Sequence, residues 1–418
     1  MKEKSLMVVI PTKNDDIKFD SLMENLKSNG KIIIRKNEKA GANVEKIDLM
    51  VEGRDYEVNV FPSRIDIPPF MRRVHEFSDA DFQKIDQVDI GLGVEIEFSG
   101  DSMRSFMDQL IIVDSFLPEK LAVLDVSSEK ILSDKWVRLA TRSKVLPSPR
   151  YLFTVQAVSG ENDEVWLHSH GMKRCGLPEL EILGSNKNMY SSHYSVIETI
   201  AVRMIEKGEA NADYEAIFLA WLTDKIPLVT TLTNWQDALG IYPNIQMGRK
   251  EDRDDYHMEG TKVISIYGRP ENIEKHIIAP IQLMDDLLGQ NTMLMISDKE
   301  TDRMRKLAFE RLNYVRKEYA KGNSETKILL KIGLPVDKEF RQPDRDPNTQ
   351  REHIWFELDK ISTLFSKEKF VCTLTQDPYY VKKMKTGDTG KYDASDITDW
   401  LILTKERRYT SDDVYLLD

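Results

Sequence analysis

Two histidines and two glutamates stand in one sixteen-residue stretch, WLHSHGMKRCGLPELE, running from Trp166 to Glu181. Alternate side chains of a β-strand share a face. A hairpin through this stretch therefore sets Trp166, His168 and His170 on the same side as Glu179 and Glu181 of the returning strand. Val165 and Leu167, with Leu180 and Ile182, face the other way. Neutral imidazole nitrogen and carboxylate oxygen are ordinary ligands of zinc and other divalent ions. His168, His170, Glu179 and Glu181 thus make a candidate divalent-metal site, with an open position for water and a metal-dependent hydrolase as the activity that would follow. His193, just ahead of a helix, is a conceivable third nitrogen.

The same residues carry a second reading without metal or any other cofactor. Histidine opposite glutamate across antiparallel strands stabilises a hairpin by roughly 0.2–1 kcal/mol per pair. Trp166, His168, His170, Lys173, Arg174, Glu179 and Glu181 would then form a solvent-facing surface for another protein, with Lys173 and Arg174 solvating the loop tip. His-x-His with a distant Glu-x-Glu lacks the fixed helical spacing of a zincin motif. The sequence therefore favours the contact face, keeps the hydrolase as its alternative and leaves catalysis undecided.

Other reactive patterns are weaker. Gly91-Leu92-Gly93 has no third glycine and no helix directly after it, so it reads as a turn into a strand. Ser191-Ser192-His193 places serine beside histidine, but sequence adjacency is not triad geometry. Cys175 lies beside Arg174 in a basic loop that would favour its thiolate. Asp252 to Asp255 and Asp344 to Asp346 are acidic turns without calcium-loop spacing. His75, His257, His276 and His353 are isolated along the chain.

The elements that must position these groups follow from composition and pattern. The chain has 418 residues, 41% hydrophobic and 31% charged, which suits several globular domains. A net charge of −11 argues against a phosphate-backbone partner, so no nucleic acid is expected. Apolar runs such as Leu110 to Val113 fall far short of the ~20 residues that span a bilayer, so no membrane partner is expected either. The two cysteines, Cys175 and Cys372, are far apart, and the N-terminus lacks a signal-peptide pattern. Both point to the cytoplasm.

Strands at Leu6 to Ile10, Lys31 to Arg35, Ile47 to Val51 and Tyr56 to Val60 mix with helices at Phe19 to Ser28 and after Asp101, without strict alternation. That texture predicts an α+β class. It divides into an N-terminal α+β domain (1–146), a second α+β domain with the hairpin (147–296), a linking charged helix (297–322) opened by Ser297 and Glu300, and a β-rich, partly open barrel-like domain (323–418).

In the last segment, EHIWFEL at Glu352 to Leu358, Asp377-Pro378 after FVCTLTQ, the Gly387-Asp388 turn and ITDW at Ile397 to Trp400 together resemble the YegJ-like bacterial domain of unknown function. Thr389-Gly390-Lys391 stands where that family carries an apolar strand, which predicts a short strand there. Trp166 to Gly171 followed by Pro178 to Glu181 resembles the region found with that domain in uncharacterised Firmicute-type proteins. Its order of strand, glycine turn, Glu-Leu-rich strand and helix is similar to suppressor-of-fused-like domains. These resemblances imply a non-catalytic interaction module, immunity-like or regulatory, and supply no active-site residues.

Overall fold

The computed structural model describes residues 3–14, 17–73, 77, 79–160, 162–290, 297–344, 346, 350–364 and 367–417; His75 lies outside them. Contacts divide the chain into two compact units, Met1–Arg142 with Leu146–Ser297, and Asp298–Asp418 with the short piece Ser143–Val145.

The first unit contains two sheets. The strands of the first are β1 (Ser5–Pro11), β2 (Ile32–Lys39), β3 (Glu45–Val51), β4 (Arg54–Arg64), β5 (Ile90–Ile96), β6 (Lys120–Asp125) and β7 (Lys130–Ser133). They form one antiparallel sheet in the order β2-β3-β4-β5-β1-β6-β7. The tight turn between β3 and β4 has positive φ at both central residues, 45° at Glu52 and 89° at Gly53. This is the twist-matched geometry of a two-residue hairpin, and glycine adopts it without strain. The helices of this half are α1 (Phe19–Ser28), α2 (Asp79–Ile85), α3 (Ser102–Phe116) and α4 (Asp134–Arg142). Asp101 caps α3 by accepting the Arg104 backbone N–H at 3.0 Å. Gln109 pins that helix to the sheet, donating to the carbonyls of Ser5 at 2.9 Å and Val94 at 3.2 Å. A buried amide is tolerated there because its groups are paired.

The second sheet comprises β8 (Thr154–Ser159), β9 (Glu164–His170), β10 (Glu179–Asn186), β11 (Ile217–Trp221), β12 (Pro227–Asn234) and β13 (Thr261–Ile266), in the order β11-β12-β13-β10-β9-β8. Only β10 and β13 run parallel. The long helix α5 (Tyr190–Lys207) buries Val196, Ile197, Ile200, Ala201, Met204 and Ile205 and stops at Gly208, whose φ is 76°. No helix among the described residues is long and apolar enough to cross a membrane.

The second unit holds β14 (Lys327–Pro335), β15 (Arg351–Leu364), β16 (Lys367–Leu374), β17 (Thr389–Tyr392), β18 (Ile397–Leu403) and β19 (Arg408–Tyr409). Their antiparallel order is β17-β16-β15-β14-β18-β19. The expected partly open barrel is instead an open sheet. Its edges, β17 with four residues and β19 with two, are too short to close on one another. The charged helix expected as a linker is two helices, Asp298–Glu310 and Leu312–Ala320, and the first packs on β18. There Trp400, fully buried, donates its indole N–H to the Ala308 carbonyl at 2.9 Å.

Residues 298–418 are therefore expected to fold alone, whereas 323–418, with Trp400 uncovered, should lack a cooperative melting transition. Near-ultraviolet circular dichroism of the two fragments checks this. A sharp transition in the shorter one would show that the helix is dispensable.

Candidate metal centre

The register of the β9–β10 hairpin pairs Glu181 with His168 and Ile182 with Leu167, so the histidines and Glu181 share one face. That face is not open to solvent. His168 is 4% exposed, His170 8%, and Glu179 and Glu181 are fully buried. Two features bury it. Parallel pairing with β13 makes β10 an interior strand with a neighbour on each edge. The chain that follows β12 then returns across the histidine face. Trp235, Tyr242 and Ile245 of that segment pack with Trp166, Leu183 and Val263 in one apolar cluster.

The contact face expected from the sequence is accordingly absent, because its residues are buried, or half-buried for Lys173, and most of them have internal partners. Glu181 forms a buried ion pair with Arg253 at 2.6 Å and accepts the Trp166 indole N–H at 2.9 Å. The Arg253 guanidinium also donates to Gly248 O at 2.8 Å and lies over the Trp235 ring at 4.3 Å. Glu179 accepts from the Tyr256 hydroxyl at 2.6 Å, the Ser169 hydroxyl at 2.5 Å and the backbone N–H groups of Gly171 and Lys173 at 3.1 Å. Burial pushes both carboxyl groups above their usual range, against these hydrogen bonds and, for Glu181, the Arg253 charge.

The loop tip is not solvated either. Arg174 is 1% exposed and makes a bidentate pair with Asp125 of β6 at 2.7 and 2.8 Å. It also donates to Leu152 O at 2.8 Å and Ser5 Oγ at 3.0 Å. Lys173 is half-buried, with its ammonium on the Tyr256 carbonyl and 4.2 Å from the Tyr256 ring. Cys175 is buried. Gly171 has φ 112°, and a Cβ there would meet the Leu152 carbonyl at 2.4 Å, so the backbone after His170 requires glycine.

The histidines do find a third nitrogen, though not His193. His193 is taken up by Ser185 Oγ at 2.8 Å and Asp285 Oδ1 at 3.0 Å. The third member is His257, from the turn Asp255–Met258, which sequence reasoning treats as isolated. One ring nitrogen from each of His168, His170 and His257 lies within 4.8 Å of the others, and all three side chains are buried. Glu179 and Glu181 are outside this group, so the expected two-histidine, two-glutamate donor set is replaced by three imidazoles. The rings pack edge to face, with centroids 4.5 Å apart for His170 and His257 and 4.6 Å for His168 and His257. Tyr256 stacks on His170 at 5.2 Å.

Behind His257, Asp254 accepts from its Nδ1 at 2.8 Å and from its backbone N–H at 2.9 Å. The Nε2 atom lies 3.4 Å from Ser169 O. His168 Nδ1 is buried and has no hydrogen-bond partner. Burial, reinforced by the neighbouring His257 and His170, pushes His168 down to about 2. Burial with His257 pushes His170 down to about 3, and burial outweighs Asp254 in lowering His257. All three rings are therefore neutral at pH 7, the form that binds metal. Asp254, opposed by its partial burial, is held below the usual carboxylate range by its two hydrogen bonds from His257.

Residues 5–147 match a family model described as the N-terminal part of a protein of unknown function, DUF4026, and residues 155–265 match the C-terminal part of the same. Residues 313–415 match DUF2314, an uncharacterised protein conserved in bacteria. No curated protein and no solved structure matches the chain. The four motifs quoted above for the C-terminal segment fall inside the last match, but neither the YegJ-like nor the suppressor-of-fused-like likeness is among these matches. All three imidazoles lie inside residues 155–265.

Proposed function

We propose, for a chain whose three matched domains are all of unknown function, that its middle domain binds one divalent transition-metal ion through His168, His170 and His257. The observation that carries this reading is the unpartnered Nδ1 of His168. A buried acceptor without a donor costs free energy, about 1–3 kcal/mol, and native interiors rarely leave one. The His168 ring packs against those of His170 and His257, with one nitrogen of each within 4.8 Å of the others, and a cation would satisfy three lone pairs at once. His257 with Asp254 has the arrangement of a metal ligand held by a carboxylate on its far nitrogen, which fixes the ring and raises its basicity. A set of imidazoles without thiolate suits zinc, copper, nickel or iron rather than calcium or magnesium. Exposures of 4%, 8% and 2% for the three ligands favour a structural or sequestered ion over one open to a large substrate.

Elemental analysis of the purified full-length protein is expected to find close to one equivalent of such a metal, and His257→Ala should remove it. The bound ion should also raise the melting temperature, since a ligand at a hundred times its Kd stabilises by about 2.7 kcal/mol. Protein that stays metal-free after incubation with zinc, and whose melting temperature does not respond to chelator, would end the proposal.

A further inference from the structure

Beside the three imidazoles stands a carboxylate that comes from a different part of the chain. Glu129 follows the helical turn Val126–Ser128 and precedes β7, so it belongs to the first sheet and to the segment 5–147 rather than to the histidines' own domain. Its φ is 52°, a left-handed backbone that glycine or asparagine adopts at lower cost. The residue that accepts this conformation is the one whose side chain reaches the cluster. Glu129 Oε2 lies 3.6 Å from His170 Nε2. It also accepts from the amide of Gln156, which pairs with His168 across β8 and β9 and so shares its face.

Two features of this contact point to an ion. The first is distance. At 3.6 Å, nitrogen and oxygen are too far apart for a good hydrogen bond. Two ligands each about 2.0–2.1 Å from one tetrahedral zinc ion stand about 3.3–3.4 Å from one another, so the separation suits atoms flanking a shared ion. The second is charge. Glu129 is half-buried, and among the described residues its ion-pair contact is with the ring of His170. Lys173, the nearby cation, is turned to the Tyr256 carbonyl and ring and lies 3.9 Å from Glu3. Glu129 thus places a carboxyl group, and not a cation, beside the ring of His170.

Resting on the metal-binding reading above, we propose that Glu129 is the fourth, anionic ligand of the site, so that a single ion joins the N-terminal domain to the middle domain. Glu129 lies outside the donor atoms that are within 4.8 Å of one another, so its side chain swings in from His170 when the ion binds; three histidines and one carboxylate then close a tetrahedral shell, the arrangement of a structural ion.

The test titrates the metal-free full chain with Co2+ and follows the visible d–d absorption, which is intense for four-coordinate and weak for six-coordinate cobalt. Wild type is expected to take up one equivalent with an intense band. Glu129→Gln, of the same shape and without the charge, should bind 10–100-fold more weakly with a shifted or weakened band. Glu129→Asp keeps the charge, shortens the reach and should shift the band with a smaller loss of affinity; it decides the matter if the glutamine variant does not fold. Wild-type protein that binds Co2+ while both Glu129 variants reproduce its affinity and spectrum would overturn the role of Glu129 and leave the histidine site standing. Wild-type protein that takes up no Co2+ would overturn both.

Discussion

Glu181→Ala should lower the unfolding free energy by about 3–5 kcal/mol, the cost of leaving a buried charge without its partner. Glu181 and Arg253 both have side chains with no solvent exposure and meet at 2.6 Å. Removing the carboxylate strands the guanidinium between Trp166 and Trp235 and frees the Trp166 indole N–H as well. Replacing both members with apolar residues of similar volume, Glu181→Leu with Arg253→Met, should recover most of the loss, because neither charge then remains to be desolvated. Urea unfolding of the single and double variants reads this out. A single variant within about 0.5 kcal/mol of wild type, the usual size of a surface substitution, would mean that the face is open after all.

The second large effect is on pH dependence. His168 titrates near 6.5 in an unfolded chain, whereas burial pushes it down to about 2 in the fold. The folded value is the depressed one, so below pH 6.5 the unfolded state takes up the proton first. The contribution of His168 is therefore complete above pH 6.5 and is lost as pH falls toward the folded value, by about 1.4 kcal/mol per pH unit. Other groups oppose this trend: burial pushes Asp285 and Asp399 up to about 6, so the fold binds their protons before the unfolded chain does. The comparison must isolate one residue. In metal-free protein, the stability of His168→Leu relative to wild type should improve by roughly 2–3 kcal/mol between pH 7 and pH 4.5. A difference that stays constant over that range would show that the imidazole is solvated.

How far the sequence reveals the site depends on the distance over which its signals act. Local rules reach the strand alternation of Trp166 to His170, the cap at Asp101 and the turn at Glu52-Gly53, because each is decided within a few residues. The pairing of His168 with Glu181 follows from hairpin geometry in the same way. Burial of that face does not, because it depends on Trp235, Tyr242 and Ile245, far along the chain, folding back over it. Nor does the third histidine, which arrives from the far side of β11 and β12. A local signal did exist at Asp254 and His257, three apart in a turn where one carboxylate can take both the backbone and the ring N–H. It identifies an oriented imidazole and gives no direction in which to look for its partners. In the C-terminal domain the β-rich texture is legible, while the openness of the sheet rests on how short β17 and β19 are.

The Arg174–Asp125 pair bears on heredity. One model covers residues 5–147 and another residues 155–265, as if the two were separable modules, but a guanidinium encoded in the second has its counter-charge encoded in the first. Any chain that inherited the second module alone would have to change position 174 or expose it to water. Substitutions at 125 and 174 should therefore be accepted only together, and a recombination point between the two modules would separate a pair that works only as one.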